Sequence, residues 1–552
     1  MILQIFSWLF MKSVGALNWR SKSFVGFILL GVIIGGAYLR LANLNGQSFW
    51  VDEMNHVVAA QALLEGKGAV FPSGLPYDRS LLFTKLVSYS FALFGVSEFS
   101  ARLPGALFGV LSIPLMFFVA TRLFRHVGVG VVAAFLQAFT PFNIGWSRVS
   151  RMYAIFQFFF LLAAYAIYEG LEGTREKKSG LRLFQAWNLD IFWLVIAALA
   201  LAAATYLQVL SGVILPALLL FFGLMLVGEL IAHGVKSVRV GKYVVLLILS
   251  LAGVAGIAML APDILMQARE AMRFSPNWAK YDYVQNPFYY FWFLISNFYF
   301  TIAAFFLIGV VIAVAELRKA AIYLLLLFVV PLALLSTIFV LKVERYMFHL
   351  FPFYLLIAAY GTVRLFELAG KVAQQSSWRS PQWAKFALVL VFVGILGASD
   401  WLRFARKIPS LRAGTNGAVT IEEWNDACAF VRNQRVEKQP VISTLPVAVY
   451  YYLGHVDYFL ASMENSRDEE IIKKDGVLID YYSNASVIDT VEDLQGLMQT
   501  QPAGWLIVDL YRLGETRYVR PELKEFVERQ LQRRYVTPEK TIAIYSWSDL
   551  KS

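Results

Sequence analysis

Cysteine is almost absent from this chain. Its 552 residues include a single one, Cys428. That count excludes an internal disulfide and a multi-cysteine metal site, and Cys428 suits a small buried position. There is no internal repeat and no low-complexity segment. There is no nucleotide-binding glycine fingerprint either. The first ten residues are apolar but lack a basic lead and a small-residue cleavage site, so no cleaved signal peptide is expected. What the chain has in excess is apolar surface. It is 58% hydrophobic with a mean hydropathy of +0.59. Soluble domains average about 45–50% apolar, so the excess implies an integral membrane protein.

Apolar runs near the ~20 residues needed to span a bilayer recur along the first three quarters of the chain. They occupy residues 24–42, 102–121, 127–145, 152–168, 190–207, 211–230, 243–261, 287–314, 320–341, 346–366 and 386–404. The expected fold is a polytopic α-helical membrane protein of about eleven spans, covering residues 1–405. The formal charge is +11. Residues 406–552 hold 18 Lys+Arg against 21 Asp+Glu, or −3, so residues 1–405 carry +14. This surplus lies in the loops after alternate spans, as an orientation signal does, and nothing suggests nucleic-acid binding. The N-terminus is then cytoplasmic. The opposite face receives residues 43–101, 262–286, 342–345 and everything beyond about 405. Residues 81–96 are apolar, but the run is short and Lys85 interrupts it. If it spanned, every later basic loop would face outward, so it reads as an interfacial or re-entrant helix.

Residues 406–552 have no spanning run. Thr420 and Glu423 read as a capping box opening a helix over 421–435. Strands are expected at 441–445, 456–460, 477–482, 505–510 and 541–547, with helices near 491–499 and 522–534 between them. This is a small extracytoplasmic α/β domain.

Four polar clusters fall on the outer face. The first is the adjacent pair Asp52 and Glu53, after Phe49 and Trp50. Two neighbouring carboxylates can supply a base or hold a divalent cation without requiring one. The same acids would also suit a helix N-terminus over 54–65. The second cluster is Tyr77-Asp78-Arg79-Ser80. The third is Ser147-Arg148-Val149-Ser150-Arg151-Met152-Tyr153. The fourth is Lys342-Val343-Glu344-Arg345-Tyr346. Each has a plain structural reading: Arg148 and Arg151 can snorkel at a helix end, Arg345 can pair with Glu344, and Asp78 with Arg79. Together they run against the positive-inside trend. Arginine suits phosphate because its planar fork donates two hydrogen bonds at once. A phosphate at the outer membrane surface points to a lipid-linked phosphate, and a facing carboxylate to base catalysis on an incoming hydroxyl or amine.

Five pieces in order resemble the GT-C membrane glycosyltransferases, which include the protein O-mannosyltransferases and the lipid A aminoarabinose transferases. They are Trp50-Val51-Asp52-Glu53, Tyr77-Asp78-Arg79, the run at 93–104, Ser147 onward to Tyr153, and Glu344-Arg345-Tyr346. The resemblance covers the membrane half well and the outer domain in general shape. It implies an acid at Asp52 that activates the acceptor. It implies an acid–base pair at Asp78 and Arg79, with the base touching the donor phosphate. The aminoarabinose transferases read acid-Lys-Pro-Pro there. Here Arg79 replaces the lysine and Ser80-Leu81 the prolines, which keeps the charge logic and leaves sugar and acceptor open.

The expected activity is inverting transfer of a sugar from a polyprenyl-phosphate-linked donor to a lipid, glycan or protein acceptor, on the extracytoplasmic face of the cell membrane. Asp52 and Glu53 are the candidate catalytic residues. Arg79, Asp78, Arg148, Arg151 and Arg345 are the candidates for the donor phosphate, with Tyr153, Glu344 and Tyr346 in support. A transporter or flippase for lipid-linked sugars is the rival. It predicts paired halves and ionisable residues deep in helices, whereas no paired halves are found and the charges concentrate at helix ends.

Overall fold

The computed structural model describes residues 19–173, 186–260, 266, 269–270, 272–273, 286–295, 300–375, 423–435, 439–463 and 470–548. The expected last span at 386–404 and Thr420 lie outside the described residues, as do the first ten.

The membrane half is helical because long apolar runs must satisfy their backbone internally in lipid. Its elements are α1 (Trp19–Leu41), α2 (Val51–Leu64), α3 (Leu81–Phe94), α4 (Glu98–Phe124), α5 (Val127–Phe139), α6 (Pro141–Ser147) and α7 (Tyr153–Glu172). They continue with α8 (Ile191–Leu207), α9 (Ile214–His233), α10 (Val238–Leu260), α11 (Tyr289–Ile295), α12 (Phe300–Ala315), α13 (Lys319–Thr337) and α14 (Phe351–Gln375). Among the described residues six helices are long and apolar enough to cross a membrane, or eight if each bent pair is one span. Phe24, Phe27, Leu30 and Ile34 on α1 are exposed, as lipid-facing side chains are. The run at 127–145 is not one helix. It bends by 56° between α5 and α6, where Pro141 lacks the N–H that would continue the ladder. The interfacial segment is α3, of 14 residues. At about 1.5 Å per residue it is roughly 21 Å long, short of a ~30 Å hydrocarbon core. It packs on α2 and α4.

At one end of the bundle Glu172 accepts hydrogen bonds from Lys242 Nζ (2.9 Å), Lys319 Nζ (3.0 Å) and Tyr243 Oη (2.7 Å). This network joins the ends of α7, α10 and α13. The other end of α7 starts at Tyr153, the last residue of the third polar cluster of the sequence.

The second domain is α/β, as expected. Its helices are α15 (Trp424–Gln434), α16 (Pro446–Leu453), α17 (Val491–Thr500), α18 (Leu510–Gly514) and α19 (Pro521–Gln530). Its strands are β1 (Val441–Ser443), β2 (Tyr458–Leu460), β3 (Ile471–Lys474), β4 (Val477–Asp480), β5 (Ser486–Ile488), β6 (Ala503–Asp509), β7 (Gln532–Val536) and β8 (Ile542–Ser548). One sheet runs in the order β3-β4-β5-β2-β1-β6-β8-β7. Its centre, β5-β2-β1-β6, is parallel and both flanks are antiparallel. The first helix starts at Trp424 with Glu423 at its N-cap, and no side-chain cap bond forms there. The helix expected over 522–534 ends at Gln530, and its last residues form β7 against β8. Cys428 is buried in the core with Trp424 and Val431.

The two halves are tied together near α2. Tyr452 on α16 donates to Glu98 Oε1 (2.9 Å) and accepts from the Phe49 N–H (2.8 Å). The Asn425 N–H donates to Ser48 Oγ (3.0 Å).

Candidate functional site

The site is built on a buried ion pair. Glu53 is fully buried and so is Arg102, one turn into α4. Arg102 Nε donates to Glu53 Oε1 and Nη2 to Oε2, both at 2.9 Å, in the bidentate fork that suits arginine. The remaining Arg102 donors reach the carbonyls of Leu44 (2.8 Å), Gln47 (2.9 Å) and Ser48 (3.1 Å). Glu53 Oε2 also caps α2 by accepting the Trp50 N–H at 3.0 Å, and Oε1 accepts the Ser150 N–H at 2.6 Å. One carboxylate thus fixes the loop before α2, the start of α2, helix α4 and the turn at 148–152. The turn can come so close because α4 presents glycine to it. A Cβ on Gly105 would stand 3.3 Å from the carbonyl oxygens of both Ser147 and Val149.

The other candidate residues of the sequence lie beside this knot. Asp52 follows the capped start of α2, and Arg151 follows Ser150. Arg151 Nη1 donates to the Asp52 carbonyl at 2.8 Å. Arg151 Nη2 lies 4.0 Å from Asp52 Oδ2, and Arg345 Nη1 lies 3.5 Å from the same oxygen. Arg345 comes from the turn between α13 and α14, 293 residues from Asp52, and stacks over Trp50 and Tyr346 at 5.6 and 6.0 Å. Arg151 lies over Tyr153 at 5.8 Å. Burial alone would lower both guanidinium pKa values. Asp52, then Tyr153 and Tyr77 around Arg151, and Tyr153, then Asp52 and Tyr346 around Arg345, more than offset it, so both stay charged. The Nε of each arginine is buried and has no hydrogen-bond partner. A buried donor left in that state costs about 1–3 kcal/mol, which an anion would recover.

Asp52, Arg151, Arg345, Tyr153 and Tyr346 are therefore one group. Asp78 and Arg79 are both exposed, just before α3. Among the described residues no ion pair joins them to each other. The Arg79 charge nevertheless acts on Tyr77 and His56, as that of Arg151 does. Arg148 does not join the group. It is buried, and Nη1 and Nη2 cap the end of α1 on the carbonyls of Leu39, Arg40, Ala42 and Asn43 at 2.7–3.2 Å. That corrects its expected role at a phosphate: its donors are held by the backbone. Glu53, expected beside Asp52 as a reacting carboxylate, points the other way with both oxygens engaged. Glu344 pairs with Tyr289 Oη at 2.7 Å, and Arg345 turns to Asp52 instead. Among the described residues no cluster of three or more His, Cys, Asp or Glu could hold a metal ion.

Three residues had no expected role. Arg102 opens the apolar run at 102–121, and a buried arginine at that depth needs a partner; that was the available signal. His56 lies one turn after Asp52 on α2 and is fully buried. Its Nδ1 is 2.9 Å from Thr84 Oγ1 on α3, and its Nε2 is 3.1 Å from Tyr77 Oη, so it ties α3 and the loop before it to the helix of Asp52. Tyr482 comes from the α/β domain, and nothing local marks it.

A family model described as dolichyl-phosphate-mannose-protein mannosyltransferase matches residues 78–259. A Bacillus subtilis protein provisionally named mannosyltransferase YkcB is 24% identical over 253 residues, 44% of this chain. The match spans 31% of that relative's length. Among solved structures, ArnT from Cupriavidus metallidurans aligns over 96% of this chain and 98% of its own, with a TM-score of 0.57 and 13% identity. The archaeal oligosaccharyltransferase AglB from Archaeoglobus fulgidus aligns over 97% and 75%, with a TM-score of 0.59 and 11% identity. One structure of ArnT holds undecaprenyl phosphate, and one of AglB holds dolichol phosphate. In architecture, with its membrane bundle and the α/β domain seated on it, this chain has the GT-C fold of membrane glycosyltransferases.

Proposed function

We propose that the chain is a glycosyltransferase that moves a sugar from a polyprenyl-phosphate-linked donor to a lipid, glycan or protein acceptor, with inversion, at the extracytoplasmic face. The observation that carries this reading is Asp52 held 3.5 and 4.0 Å from two guanidinium groups, each with a buried Nε lacking a partner. An anion and a proton acceptor have adjoining places there. The similarity to mannosyltransferases and to lipid-phosphate-bound structures supports it.

In this mechanism Arg151 and Arg345 take the donor phosphate, with Arg79 arriving from the exposed loop. Phosphate binding draws the arginines away from Asp52 and frees its carboxylate. Asp52 then takes the proton of the acceptor hydroxyl or amine. The acceptor atom bonds to the anomeric carbon from the face opposite the phosphate. The bond from that carbon to the phosphate oxygen breaks, and polyprenyl phosphate leaves with the electron pair. Phosphate is a good leaving group, so no general acid is needed. Glu53 is a positioning residue, because it sets the start of α2 and the turn of Arg151.

The test is binding of labelled polyprenyl phosphate to the purified protein. A charged hydrogen bond to phosphate is worth roughly 1.5–3 kcal/mol, so Arg345→Ala should weaken binding about tenfold to a hundredfold. Arg345→Lys should recover part of it, since the charge remains and the fork does not. Normal binding by both Arg345→Ala and Arg79→Ala would sink the phosphate assignment.

A further inference from the structure

The turn after β4 belongs to the α/β domain, yet it packs on the outer loop of the membrane half. Ser73 Oγ donates to the Tyr481 carbonyl at 2.6 Å, and Lys474 Nζ donates to the Ser73 carbonyl at 2.8 Å. The Phe71 ring meets Tyr481, Tyr482 and Tyr77 edge-on, with centroids at 5.7, 5.1 and 5.3 Å. Tyr77 stands two residues before Arg79 and is bonded to His56, one turn along α2 from Asp52. The Tyr482 ring remains partly exposed. Burial raises the pKa of its hydroxyl, and the charges of Arg79 and Asp52 both act on it in opposite senses. That hydroxyl therefore lies within electrostatic reach of the proposed base and of the basic outer loop together.

A pyranose ring has an apolar face of C–H bonds and a rim of hydroxyls. It is held best by an aromatic surface with polar atoms at its edge. An aromatic ring packed on Phe71, which also packs on Tyr77, and within reach of the Arg79 charge offers such a surface for the sugar of a lipid-linked donor. We infer that Tyr482, supplied by the α/β domain, forms the wall that holds the donor sugar and helps to select it. This rests on the reading under Proposed function. It gives the second domain a share in the site, not only a seat on the membrane half.

The experiment compares two ligands on the full chain: polyprenyl phosphate, and polyprenyl phosphate carrying mannose or glucose. Wild-type protein should bind at least one sugar-bearing lipid more tightly than the bare phosphate. Tyr482→Ala should weaken that lipid about threefold to tenfold and leave the bare phosphate unchanged. Tyr482→Phe should keep the preference, and Tyr482→Leu, which fills the space without a π face, should lose it. Equal losses on both ligands would make Tyr482 mere cement between the domains and overturn the inference. So would an unchanged preference in Tyr482→Ala, or a wild type with no preference for any sugar. A wild type that binds neither class of lipid would instead overturn the function itself, and the inference with it.

Discussion

Replacing Asp52 by Asn separates the base from the counter-ion. In the free protein Asp52 balances two guanidinium groups. At 3.5 Å and an effective dielectric of about 20, one such pair attracts by roughly 5 kcal/mol. The Asp52 side chain is 27% exposed and that of Arg345 18%, so water screens part of this. Exposed pairs yield only about 0.2–1 kcal/mol, and a pair at this depth lies above that range, at about 1–2 kcal/mol. Asn removes that competition for the donor phosphate. Polyprenyl phosphate should therefore bind more tightly, by about fivefold to thirtyfold. Turnover should move the other way and fall at least ~10²-fold, the contribution of a general base. Binding is read by titrating labelled polyprenyl phosphate, and turnover by single-turnover transfer from a panel of labelled polyprenyl-phosphate sugars. If Asp52 only caps α2, Asn should be silent in both assays, because it is an equally good cap. Undiminished turnover would refute the catalytic assignment. Weaker binding of the lipid phosphate would refute the competition between Asp52 and the donor.

Two further outcomes follow from buried charge. Glu53→Gln leaves Arg102 uncompensated inside the protein, which costs about 3–5 kcal/mol; a thermal midpoint in detergent equal to wild type would show that the pair does not organise the site. His56 is held neutral: burial first, then the charges of Arg151 and Arg79, lower its pKa well below the ordinary 6.5. The unfolded chain thus takes up a proton below about pH 6.5 that the folded protein refuses, so stability should fall as pH drops from there. His56→Gln should flatten that part of the curve of midpoint against pH, and an unaltered slope would remove His56 as the cause.

Much of the architecture was readable from local sequence. Span length and apolar content act over tens of residues, and each described element answers to its own run. The α/β character of the second domain was legible for the same reason. Three of its strands were not. β3 and β7 are the edge strands of the sheet and carry Lys473, Lys474, Arg533 and Arg534, so they lack the alternating apolar signal; β5 is only three residues long and, unlike the equally short β1 and β2, lies in a polar stretch, after Ser483-Asn484 and before Asp489-Thr490.

The sequence by itself put Asp52, Arg151 and Arg345 on one candidate face, because helix ends and loop charges are local facts. It could not distribute their partners. Asp52 and Glu53 are neighbours in the chain, yet successive residues of a helix point about 100° apart. One therefore faces the arginines of the site and the other the buried Arg102. Arg148 and Arg151 stand three residues apart, and only packing sends one to the end of α1 and the other to Asp52. The Tyr482 ring crosses from a different domain. These assignments depend on contacts between segments about 50 to 400 residues apart, and such contacts exist only once the bundle and the sheet have closed on each other.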